Sequence, residues 1–112
     1  MLTALWGWWL AFFFTQLFEM PVYWYATRSL RVGFFASAIT HPVVWFVFPE
    51  LMKVGIDYVP MVVLAELFAV LAEAAWLRAN GLKARQALLW SLAANAFSAS
   101  MGFALRELVG FP

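Results

Sequence analysis

The residues best able to do chemistry in this 112-residue sequence are polar groups that fall inside long apolar stretches. A charged side chain at the centre of a bilayer costs about 2.5–3.5 kcal/mol, whereas a Leu returns only about 0.3–0.6 kcal/mol. Polar groups in such places are therefore expected to pair with one another or to serve a function. The predicted intramembrane polar cluster consists of Glu19, His41, Glu66, Glu73, Asn95 and Ser98.

The spacing of these residues places them on shared helix faces. The sequence VLAE occurs twice, ending at Glu66 and at Glu73, and a separation of seven residues is close to two helical turns. A second stripe, spaced by four, three and four residues, consists of Ser91, Asn95, Ser98 and Gly102. We expect Ser91 and Gly102 to be helix-packing positions, because small residues let helices approach closely. All the polar stripes are expected to point into the bundle.

Simpler interpretations compete for several of these residues. Glu19 is near the end of its apolar stretch, where a carboxyl group could reach the membrane surface, and Glu73 could pair with Arg78. His41 could be a structural residue bonded to a carbonyl group. Glu66 has no basic residue within reach along its own helix, so we expect it to be protonated or hydrogen-bonded, with His41 as its partner.

Composition defines the elements that must position these groups. The chain is 66% hydrophobic and 12% charged, which is typical of a membrane protein and not of a soluble domain. Four apolar stretches, each close to the roughly 20 residues of a spanning helix, cover residues 3–26, 32–49, 58–77 and 87–105. No charge precedes Glu19, so the first stretch reads as a helix of the mature protein and not as a signal peptide. The sequence predicts an all-α membrane protein, a single domain of four transmembrane helices in two hairpins without a soluble domain.

Lys and Arg predict the orientation. The first and third loops carry five basic residues, whereas the opposite side carries only Lys53 and Arg106. The basic loop residues are Arg28, Arg31, Arg78, Lys83 and Arg85. This bias places those loops in the cytoplasm and both termini on the extracytoplasmic side of a bacterial-type inner membrane. Aromatic residues near the inner face, including Tyr23 and Trp76, are expected to form an interfacial belt.

The two halves of the chain are candidates for an internal duplication, 1–54 and 55–112. A shift of 54 residues aligns Glu19 with Glu73 and Ser37 with Ser91. It also aligns Arg31 with Arg85. Both hairpins would run out-in-out. A duplication would therefore give a parallel repeat about an axis along the membrane normal.

Several functional classes are disfavoured. The chain has no Cys, which excludes thiol chemistry, and its net charge of +1 gives no reason to expect a nucleic acid partner. It also lacks the motifs of zinc-binding helices, nucleophile elbows and phosphate-binding loops, and it has no Glu-x-x-His pair. An intramembrane enzyme is therefore the least favoured interpretation. The sequence specifies no cofactor or metal. The first interpretation is a helix-bundle subunit that packs with itself or with a larger membrane complex in the lipid bilayer. The second is a small proton- or cation-coupled transporter or channel.

A resemblance bears on the transport interpretation. In size and helix number the chain resembles the small multidrug resistance transporters, which have an essential membrane Glu in their first helix. Glu19, in LFEMPVYW, holds the matching position. The resemblance implies a cation-coupled carrier. The chain departs from that family in its strong loop charge bias, because those proteins have a weak bias and pair antiparallel.

Overall fold

Four helices form in the order that the apolar stretches predict. The computed structural model describes residues 2–110, with side chains from Leu5 onward. The helices are α1, Leu2–Thr27, α2, Leu30–Pro42, α3, Tyr58–Ala79, and α4, Ala84–Val109. Within this part of the chain there is no β-strand, so the all-α class is confirmed.

The second helix is longer than the sequence predicted. A loop was expected after Pro49, but helical backbone continues beyond α2 as a π-helical turn, Val43–Val47, and a 3₁₀ helix, Phe48–Val54. Pro42 has no N–H group and interrupts the α-helical hydrogen-bond ladder, which accounts for the change to π geometry. The 3₁₀ helix tolerates Pro49 in its first turn and ends at Gly55, whose φ of 97° suits glycine.

Short polar signals determine the tight connections between helices. The Ser29 hydroxyl accepts a hydrogen bond from the Val32 N–H at 3.2 Å and caps the start of α2. The stop predicted at Asn80–Gly81 is where α3 ends, and Gly81 has a φ of 108°. These two connections carry the basic loop residues.

Three helical segments are long and apolar enough to cross a membrane, namely Leu30–Val54, Tyr58–Ala79 and Ala84–Val109. The 26-residue α1 is long enough but is not among these candidates. Its sequence contains Trp6, Trp8, Trp9, Gln16 and Glu19, which lower its hydropathy. The structure therefore supports a multi-pass membrane protein, with α1 in contact with the candidate spans.

The helices pack as a ring in which each one contacts mainly two others. α1 lies against α2 and α4, and α3 completes the ring on the other side. The tightest packing is near the basic connections, where buried side chains form an apolar plug made of Tyr23, Ala36, Leu77, Ala87 and Ala94. Toward the termini the packing is looser. From Leu5 to Thr15, from Val43 to Val54 and beyond Asn95 no described side chain is buried.

Candidate functional site

A cavity of about 210 Å³ lies between the four helices, on the side of the apolar plug that is nearer the chain termini. Every helix contributes to its wall, so the cavity is a property of the whole bundle and not of one hairpin. All the members of the predicted intramembrane polar cluster line it, namely Glu19, His41, Glu66, Glu73, Asn95 and Ser98. The polar faces of the helices thus meet inside the bundle.

Glu73, only 2% exposed, is the most highly bonded group of the cavity. Its Oε1 atom accepts hydrogen bonds from the Tyr23 hydroxyl at 2.5 Å and from the Asn95 amide at 3.1 Å. Its Oε2 atom accepts a hydrogen bond from the Thr40 hydroxyl at 2.6 Å. Since these donors come from α1, α4 and α2, one carboxyl group of α3 ties all four helices together.

Glu19 is the second deeply buried carboxyl group, with 3% exposure. It accepts a hydrogen bond from the Ser37 hydroxyl at 2.7 Å, and it lines the same cavity as Glu73. One turn earlier, the Gln16 amide donates to the Phe34 carbonyl at 3.0 Å and fixes α1 against α2. Glu19 therefore does not extend to the membrane surface as the simpler interpretation would require.

No cation neutralises either carboxyl group within the described part of the chain. All seven Lys and Arg side chains are exposed. The ion pair found there joins Lys53 to Glu50 at 2.7 Å, and neither of these exposed side chains lines the cavity. Arg78 forms no ion pair with Glu73. The donors on the two buried carboxyl groups are neutral hydroxyl and amide groups.

His41 and Glu66 line the cavity without forming the expected hydrogen bond. The His41 ring packs against aromatic rings of Phe12, Trp8 and Trp45, with centroids at 5.4, 5.9 and 6.1 Å, and its Nδ1 atom is buried without a partner. Glu66 is half-buried and has no hydrogen-bond partner among the described residues. The predicted pairing is absent, and the imidazole packs instead against two aromatic rings of α1 and the ring of Trp45.

The polar stripe of α4 divides into two parts. Ser91 is fully buried and donates to the Val70 carbonyl at 2.7 Å, which joins α4 to α3. Gly102 lies where the packing is loose, and a Cβ atom placed there would meet no atom within 4 Å. Close packing of a neighbouring helix at Gly102 therefore stays a prediction, because an added Cβ atom would lie in open space within the single chain.

Of the aromatic residues assigned to an interfacial belt, Tyr23 lies inside the bundle instead and Trp76 is half-buried. Tyr23 is fully buried beneath Glu73, and the Trp76 indole donates to the Val32 carbonyl at 3.0 Å. The available signal for Tyr23 was its position four residues after Glu19, which puts both on one helix face. Thr40, next to His41, is the other hydrogen-bond donor to Glu73 that the predicted cluster omitted.

The basic connections lie at the plug end, outside the cavity. Arg28 stacks over the rings of Trp24 and Tyr25, with its guanidinium carbon at 4.7 and 5.0 Å from their centroids. The other predicted basic loop residues, Arg31, Arg78, Lys83 and Arg85, are exposed and available to water or lipid headgroups.

No protein-family model matches the chain, and neither a curated protein sequence nor a solved structure matches it at a significant level. Within the described residues, no group of three or more His, Asp or Glu side chains is placed to hold a metal ion. The fold and cavity define a small helical membrane protein with a buried polar centre. Any more specific function has to be argued from the chemistry of that centre.

Proposed function

We propose that this protein is a small proton-coupled membrane transporter or channel whose buried carboxyl pair, Glu19 and Glu73, binds and releases a proton. The observation that carries the proposal is that two deeply buried carboxyl groups line one small cavity and accept hydrogen bonds only from neutral donors. Two adjacent carboxylates without a cation would have to bear both desolvation and mutual repulsion. A shared proton removes most of that cost.

The hydrogen bonds favour a proton over a metal ion as the bound cation. Glu73 already accepts three hydrogen bonds on its two oxygen atoms, which leaves little of its coordination capacity for a metal. Monovalent and divalent metals also require several oxygen ligands at once. A proton needs one oxygen atom and a neighbouring acceptor, which the Glu19–Glu73 pair provides.

The proposal includes four membrane spans, with α1 as the additional span, and both termini on the extracytoplasmic side. The 26-residue length of α1 and its contacts with α2 and α4 support this placement. The five basic residues of the first and third loops support the orientation. In this orientation the apolar plug faces the cytoplasm, and the loosely packed end gives the cavity access from outside.

The internal duplication 1–54 and 55–112 belongs to the same proposal. A shift of 54 residues aligns Glu19 with Glu73, and these are the two deeply buried carboxyl groups that line one cavity in the bundle. A pseudo-two-fold axis along the membrane normal would bring equivalent residues together near the axis at equal depth. The meeting of the two glutamates is what such a repeat predicts.

Proton flux into liposomes tests the proposed function. The purified protein is reconstituted with a pH-sensitive dye inside the vesicles, and a potassium diffusion potential drives proton entry. We expect flux above that of protein-free vesicles, lost in Glu73→Gln and in Glu19→Gln, and retained in Glu107→Gln, which removes an exposed carboxyl group. Circular dichroism and gel filtration verify that each variant is folded. Absence of flux in the parent protein, or equal flux in all variants, would refute the proposal.

A second candidate function is that of a subunit in a larger membrane assembly. The loose packing beyond Asn95 and the open space at Gly102 favour it, because a neighbouring helix could fill that region. The mass of the particle purified in mild detergent distinguishes the two. A defined complex with another protein favours the subunit, and a particle of this chain alone favours the transporter.

A further inference from the structure

A second set of cavities lies between α3 and α4, near the termini. A cavity of about 480 Å³ is bounded by Tyr58, Glu66, Phe103 and Arg106. An adjoining groove of about 350 Å³ continues toward the middle of the bundle past Leu67. The cavity and the groove share three wall residues, Val62, Glu66 and Ala99, so they form one continuous feature, the α3–α4 groove.

The walls of the α3–α4 groove are mostly apolar, with the Glu66 carboxyl group where its two parts join and a single basic group at the terminal end. Arg106 is the only Lys or Arg that lines it within the described residues. Its guanidinium donates one hydrogen bond of 3.4 Å to the Tyr58 hydroxyl and forms no ion pair with any residue that the structure describes. A guanidinium group has five N–H donors in a planar fork, so most of them remain for an anionic ligand.

Small residues of α4 create the space in the groove. Ala96 and Ala99 line it, and Gly102 lines its terminal part. A Cβ atom at Gly102 would meet nothing within 4 Å, so none of the described side chains fills the region. Exposing this apolar surface to water would cost free energy, whereas a lipid hydrocarbon chain would fill the groove and cover the surface.

The length of the groove matches one leaflet of a bilayer. From Arg106 to Leu92, which lines the deep end, α4 rises about 21 Å at about 1.5 Å per residue. Half of a bilayer, including its headgroup region, is about 20–22 Å thick. A lipid with its headgroup at Arg106 would therefore end its acyl chain at the deep end of the groove.

We infer that the α3–α4 groove is a specific binding site for an anionic phospholipid, with the phosphate-bearing headgroup at Arg106 and an acyl chain along α3 and α4. The charge at the mouth, the apolar walls and the leaflet-long path together select this ligand class. The inference rests on the proposed function only for the placement of the terminal end at the outer membrane surface. It does not depend on proton binding by Glu19 and Glu73.

Native mass spectrometry with defined lipids tests this site. The protein is released from micelles that contain equal amounts of phosphatidylglycerol and phosphatidylcholine. We expect one phosphatidylglycerol molecule to be retained preferentially by the parent protein. Arg106→Gln should abolish the preference, whereas Lys53→Gln, which removes an exposed positive charge elsewhere, should keep it. Ala99→Leu, which narrows the groove, should weaken retention of both lipids.

The controls separate this inference from the proposed function. Glu73→Gln should retain phosphatidylglycerol like the parent protein even though its proton flux is lost. Preferential lipid retention in a protein without proton flux would refute the transporter and leave the lipid site intact. Equal retention of the two lipids by the parent protein, or equal losses in Arg106→Gln and Lys53→Gln, would overturn the lipid site. A dimer that excludes lipid and that Ala99→Leu dissociates would assign the groove to a second copy of the chain, which would also overturn it.

Discussion

Replacing Tyr23 by Phe removes one oxygen atom from the centre of the hydrogen-bond network and keeps the ring that fills the apolar plug. The Tyr23 hydroxyl donates to Glu73 at 2.5 Å and lies 3.4 Å from the Asn95 amide, in surroundings where the tyrosine is fully buried. After the substitution Glu73 keeps its bonds from Thr40 and Asn95, so the carboxyl group loses one of three donors. The substitution removes the hydrogen bond that the hydroxyl donates to an acid group and the longer one that it accepts from the Asn95 amide.

Two ranges bound the expected loss of stability. Hydrogen bonds to charged groups contribute about 1.5–3 kcal/mol, whereas interhelical hydrogen bonds in a membrane protein average about 0.6 kcal/mol with a maximum of about 1.7 kcal/mol. We therefore expect Tyr23→Phe to lower the free energy of unfolding by about 1–2 kcal/mol. Unfolding by sodium dodecyl sulfate in mixed micelles, followed by circular dichroism, measures this quantity.

The control is Tyr25→Phe, on the same helix and 60% exposed. It should change the free energy of unfolding by less than about 0.5 kcal/mol, as surface substitutions usually do. If the two variants were equally stable, the hydroxyl of Tyr23 would not support the network. The account of the plug end as held together by Glu73 would then be incorrect.

Two further predictions concern packing and topology. Gly33→Leu should lower the free energy of unfolding by at least about 1–3 kcal/mol, because even a Cβ atom added at this position would lie 3.2 Å from the buried Tyr23 side chain. Gly102→Leu should leave the stability of the folded single chain nearly unchanged, because an added Cβ atom there would meet no atom within 4 Å. Equal losses of stability from the two leucine variants, measured as above, would contradict the difference in packing between the two ends. In intact cells, cysteines at Ser29 and Gly81 should be shielded from a membrane-impermeant thiol reagent, and a cysteine at Asp57 should be labelled. Similar labelling at all three positions would indicate that the chain inserts in both orientations.

The site could be predicted from the sequence because polar side chains in lipid carry a free-energy cost. Carboxyl and imidazole groups in apolar stretches are expensive wherever they face lipid, so their inward orientation could be predicted without a partner being known. The structure places the six predicted cluster residues on one cavity. The helical class followed from the four apolar stretches, each of which is close to the length of a spanning helix.

Details that depend on side-chain geometry could not be predicted in the same way. Tyr23 was assigned to an interfacial belt because aromatic residues near the ends of membrane helices usually lie there. In the structure it is buried and donates a hydrogen bond to Glu73. The Glu66–His41 pair was inferred from similar depth, but depth does not decide which neighbours surround a ring. Periodicity placed Gly102 on the packed face of α4, but it carries no information about where helices stop touching.

Infrared spectroscopy of the purified protein in lipid tests the central claim, that Glu19 and Glu73 hold a proton between them. At neutral pH we expect a C=O stretching band of a protonated carboxyl group, and the intensity of this band should fall when both residues are replaced by Gln. The exposed-site variant Glu107→Gln should keep the band. A parent spectrum with only ionised carboxylate bands, or a protonated band that survives the double substitution unchanged, would contradict the account.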